Sequence, residues 1–76
     1  MNTRETIERL NNRLNSLYNE REEFKLDLEL AEGKADHSAM ELIEEQIYEL
    51  NHSILELENQ LKDAEVEHLE EMRMAI

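Results

Sequence analysis

The sequence predicts an all-α protein: an antiparallel helical hairpin of coiled-coil type, expected to dimerise into a four-helix bundle. Three observations carry this expectation. Apolar residues recur at alternating three- and four-residue steps along two long stretches. The two stretches are out of register with each other. Between them stands Gly33, the only glycine of a chain without proline.

The first stretch runs Ile7, Leu10, Leu14, Leu17, Phe24, Leu28 and Ala31, interrupted once, at Arg21. In heptad letters Ile7, Leu14, Arg21 and Leu28 take position a, and Leu10, Leu17, Phe24 and Ala31 position d. The second runs Met40, Ile43, Ile47, Leu50, Ile54, Leu57, Leu61, Ala64 and His68 without a missed step. Continuing the first register through Ala35 would place the next a position at Leu42 instead of Met40, so a break is required. Gly33 can adopt the left-handed conformation that ends a helix, and Ser38 with Glu41 reads as a capping box for the next one. Asn2 with Glu5 offers the same signal at the start. The expected organisation is one domain over residues 1–76, with helices at 3–31 and 39–74 and a turn at 32–38. The competing arrangement is a single helix of more than about 70 residues with a register defect, since one glycine costs only about 1 kcal/mol.

Folding about residues 34–37 sets Leu28 near Ile43, Phe24 near Ile47, Arg21 near Leu50, Leu17 near Ile54, Leu14 near Leu57, Leu10 near Leu61 and Ile7 near Ala64. Each pair opposes an a and a d position, as an antiparallel seam demands. At the flanks Lys25 is expected near Glu44 and Arg4 near Glu65. Arg21, in the seam, must reach water or a carboxylate such as Glu49 of a neighbouring molecule.

The chain has 76 residues, a size at which a single core is small unless helix packing is efficient or a partner helps. Cysteine is absent, which excludes disulfides and thiolate ligands. The first residues, MNTRETIERL, carry charges where a signal peptide needs an apolar run, and no stretch approaches the ~20 apolar residues of a membrane span. A cytoplasmic protein without membrane contact is expected. Net charge is −12, from 20 acidic and 8 basic residues. Residues 33–76 supply most of it, with 12 acidic and 3 basic groups. Such a surface repels nucleic-acid backbones and anionic lipid, and favours a partner with a basic or apolar groove.

Apolar residues outside the seam point to a second contact surface. They are Leu42, Tyr48, Leu55, Val66 and Leu69 in the second stretch, and Tyr18, Leu26 and Leu30 in the first. The residues expected to bind a partner, whether another protein or a second copy, are Leu26, Tyr48, Leu55, Leu69 and Met72. The segment from His68 to Ile76 is expected to overrun the first helix and lack an intramolecular mate. Glu49, Glu56, Asp63 and Glu70 recur every seven residues on an outer line about 30 Å long, beside Glu41 and Glu45, and are expected to steer the encounter. The same line would suit a mimic of nucleic acid occupying a basic cleft.

Catalytic chemistry finds little support. Glu49 with His52, and Glu65 with His68, have the Glu-x-x-His spacing of di-metal carboxylate bundles. The two copies lie 16 residues apart, about 24 Å along a helix, so they cannot serve one centre within a chain. Ser16, Ser38 and Ser53 lack the context of a nucleophile, and no glycine-rich loop cradles a phosphate. The expected function is therefore that of a non-catalytic, acidic protein-interaction module, such as an adaptor, assembly factor or inhibitor. No catalytic residue, metal or cofactor is assigned.

Overall fold

The computed structural model describes residues 2–74. Two helices, α1 (Thr3–Gly33) and α2 (His37–Met74), pack against each other, and no strand occurs among the described residues. The long dimension is 61 Å and the other two are 16 and 15 Å. One unbroken helix over this length would extend about 108 Å, so the chain is folded back on itself as a hairpin.

α1 starts where the sequence signals it. Asn2 is extended, with φ −86° and ψ 167°, and its Oδ1 accepts from the Glu5 amide at 2.8 Å. That bond satisfies one of the amides a helix start leaves without a partner.

The turn is tighter than the expected 32–38, and its key residues differ from Gly33 and Ser38. α1 continues to Gly33, which is helical, and the left-handed residue is Ala35, at φ 53°. The Asp36 amide donates to Ala31 O at 3.0 Å and the Ala35 amide to Glu32 O at 3.1 Å, the paired bonds of a Schellman motif. Asp36, in place of Ser38, caps α2: its Oδ1 accepts from the Ala39 amide at 3.1 Å, and its carbonyl from the Met40 amide at 3.0 Å. Asp36 thus closes one helix and opens the next, which is why three residues suffice between them.

The core lies mid-length, where Leu14, Leu17 and Ile54 are each 3% exposed and Tyr18, Leu50, Leu57 and Leu61 pack against them. This places the expected opposites Leu17 and Ile54 in one cluster. Leu10, Ala31 and Ala64 are also buried. Ile7, Phe24, Leu28, Ile43 and Ile47 are only half-buried, because two helices cannot enclose a seam from both flanks.

The expected ion pairs across the seam do not form. Lys25 Nζ lies 3.5 Å from Glu22 and Arg4 Nε 3.9 Å from Glu8, each on its own helix. Exposed pairs of this kind are weak wherever they form, and partners one turn away require less ordering than those across a seam. The expectation that α2 lacks a mate from His68 onward also fails in part. The Thr3 hydroxyl donates to Glu71 Oε1 at 2.7 Å, tying the start of α1 to the last turn of α2. Ala75 and Ile76, included in that expectation, lie outside the described residues.

Candidate functional site

Seven residues are close to two helical turns, so Tyr48, Leu55 and Leu69 fall in one row along the outside of α2, with Lys62 standing between Leu55 and Leu69. All three are exposed, Tyr48 by 66%. The row lies clear of the seam because the a and d residues beside it, Ile47, Leu50 and Ile54, are the ones turned to α1. Tyr48 and His52 meet edge to face, with ring centroids 4.8 Å apart and an interplanar angle of 77°. Together with Asn51 and Leu55 they line an open depression. The Asn51 Oδ1 at its margin accepts from Arg21 Nη1 at 3.0 Å, so this wall is anchored to α1.

The fold does not gather all five residues expected to bind a partner. Tyr48 and Leu55 share the depression. Leu69 and Met72 are exposed farther along the same helix, about 21 and 25 Å from Leu55. Leu26 is exposed on α1 and does not line the depression. Glu49, Glu56, Asp63 and Glu70 are all exposed on α2, in a line about 32 Å long. Glu49 also borders a second, more polar depression with Glu20, Phe24, Gln46, Leu50 and Ser53, where the two helices meet.

Tyr18 is not a surplus surface residue. It packs on the core cluster, and its hydroxyl donates to Glu58 Oε2 across the seam at 2.8 Å. The Glu58 carboxylate that accepts this bond holds the phenol above its ordinary pKa, aided by partial burial, while the Arg21 cation acts in the opposite direction. The Arg21 guanidinium lies 5.3 Å from the centre of the Tyr18 ring, close enough for a cation–π contact. Arg21, Tyr18, Asn51 and Glu58 thus form a polar cross-link beside the apolar seam. The sequence did contain its signal: Tyr18, Asn51 and Glu58 all occupy heptad position e, and e lines face each other in an antiparallel pair.

The two Glu-x-x-His pairs remain separate. His52 is exposed and engaged with Tyr48, whereas His68 is half-buried with Nδ1 enclosed and without a hydrogen-bond partner. Among the described residues no three His, Asp or Glu groups converge as metal ligands, and no helix is long and apolar enough to cross a membrane. No family model matches the chain, and no curated protein or solved structure shows significant similarity to it.

Proposed function

We propose that the chain is a non-catalytic, acidic helical module whose activity is to bind protein, as an adaptor, assembly factor or inhibitor in the cytoplasm. The observation that carries this reading is the exposed row Tyr48, Leu55 and Leu69, left over after the seam has been packed. Apolar contacts with this row supply affinity. Glu49, Glu56, Asp63 and Glu70 steer the encounter with a partner whose groove has a basic rim. No catalytic residue, cofactor, membrane or nucleic acid enters the reading.

Self-association is a second way to cover apolar residues that one hairpin leaves open. The half-buried Ile47, Leu50, Leu57 and Leu61 favour it, because a coiled-coil seam open on both flanks gains burial when two hairpins form a four-helix bundle. Mimicry of nucleic acid rests on the acidic line alone.

Two variants separate these readings: Tyr48→Gln with Leu55→Gln, and Glu49→Gln with Glu56→Gln and Asp63→Gln. Circular dichroism should show both folded. Complexes of the tagged chain isolated from its own cells should be lost with the apolar pair. They should survive the acidic triple change, forming more slowly and with less sensitivity to salt. Loss with the acidic variant and retention with the apolar one would replace docking by mimicry. Sedimentation equilibrium at micromolar concentration then tests the four-helix bundle, which a strictly monomeric mass removes.

A further inference from the structure

Resting on the protein-binding reading, we infer that the outer row of α2 receives a basic amphipathic helix and not a second copy of this chain. Tyr48 and Leu55 stand about 10.5 Å apart along α2, the i and i+7 spacing by which one helix reads another, and the depression between them is where an apolar side chain would seat. Charge selects the occupant. Between residues 37 and 74 the helix carries 11 carboxylates and only two cations, Lys62 and Arg73. At the Tyr48–Leu55 pair the bias is undiluted: Glu44 and Glu45 flank Tyr48 and Glu58 flanks Leu55, whereas both cations lie toward Leu69, Lys62 in the row itself and Arg73 one turn beyond it. A second copy would bring the same carboxylates across the interface, well within the roughly 8–10 Å over which charges act at physiological salt, and would set −12 against −12. A helix with Lys or Arg three and four residues from its apolar anchors converts that repulsion into attraction. The aliphatic stems of those residues also cover apolar surface at the edges of the row.

The test uses two labelled peptides of about 20 residues with identical leucine anchors, one flanked by Lys and Arg and the other by Glu, titrated with the full chain and read by fluorescence anisotropy. The basic peptide should bind at least about tenfold tighter than the acidic one, weaken as salt is added, and lose about tenfold or more in affinity on Tyr48→Gln with Leu55→Gln. Equal binding of both peptides through Tyr48 and Leu55 overturns this inference and leaves the protein-binding reading standing. So does a chain dimer that dissociates on the same double substitution and that the basic peptide does not displace, because the occupant is then a second copy. Basic-peptide binding that ignores the apolar pair and vanishes with the Glu49, Glu56 and Asp63 substitutions overturns both. A monomeric chain that binds neither peptide also overturns both.

Discussion

Arg21 Nη1 donates to Asn51 Oδ1 at 3.0 Å, so the one Lys or Arg at a seam position is met by a neutral amide instead of a carboxylate. Its guanidinium carbon lies 5.3 Å from the centre of the Tyr18 ring, while Nε is enclosed without an acceptor. An enclosed donor without a partner costs about 1–3 kcal/mol, and leucine at an a position would pack on the neighbouring seam residues. Arg21→Leu should therefore stabilise the hairpin by about that amount in urea unfolding. Arg21→Ala should not, because it also removes the stem that packs in the seam. A loss of stability in Arg21→Leu would show that the polar cross-link contributes more than leucine packing can replace.

The turn places its small residues in the opposite order from the one backbone geometry favours. Gly33 is helical with open space around the position of a Cβ, and Ala35 carries the positive φ. Gly33→Ala should stabilise by about 0.4–1 kcal/mol, mainly by restricting the unfolded chain. Ala35→Gly should stabilise by about 1 kcal/mol by relieving the left-handed alanine. Thermal unfolding of the two variants measures both effects, and a lowered midpoint for Ala35→Gly would contradict the Schellman geometry.

The helices were legible because a three-four apolar spacing admits few other structures, and the register break at Gly33 favours a fold-back over one continuous helix. The details of the turn were not, since Asp36 and Ser38 are both competent caps. The choice fell to Asp36 because its amide also closes the last turn of α1. The flanking charges misled for a related reason: Lys25 and Arg4 are exposed and long, and each has an acid one turn away on its own helix. The apolar ring of Tyr18 suggests a surplus surface residue, whereas its hydroxyl gives it a partner across the seam. The row containing Tyr48 and Leu55 was legible as surplus apolar residues, but its shared depression was not, because that depends on how His52 stacks and how Arg21 holds Asn51.

Tyr18 makes stability depend on alkaline pH. Its pKa is raised in the folded chain, so the folded state retains the phenolic proton more strongly than the unfolded one. The contribution is complete below the unfolded value, about 10, and is lost as pH rises through the higher folded value. In wild type, stability should fall across that window, and Tyr18→Phe should flatten this part of the decline. Parallel denaturation curves for the two proteins above pH ~10 would remove Tyr18 from the linkage.

Core and outer row should respond differently to truncation. Leu17 and Ile54 are each 3% exposed in one cluster, whereas Leu55, one residue on, is 57% exposed. Leu17→Ala should cost about 2–5 kcal/mol, a large share of what a chain this size holds, and Ile54→Val about 0.5–1.5. Leu55→Ala should stay within about 0.5 kcal/mol. The magnitude for Leu17 alone does not distinguish the hairpin from another packed arrangement, so pairing is the decisive quantity. In an unbroken helix Leu17 and Ile54 would stand about 55 Å apart and their effects would add within the same chain. In the hairpin they touch the same cluster. Leu17→Val combined with Ile54→Val, mild enough to leave the protein folded, should therefore deviate from additivity by about 0.5 kcal/mol or more. Because intermolecular pairing could imitate this coupling, the cycle is to be run at concentrations where sedimentation shows a monomer. Spin labels at the exposed Asn12 and Asn59 give the independent check. Helix axes 8–10 Å apart place the labels on neighbouring helices, whereas the extended form would hold them roughly 70 Å apart. Strict additivity together with the long distance would eliminate the hairpin.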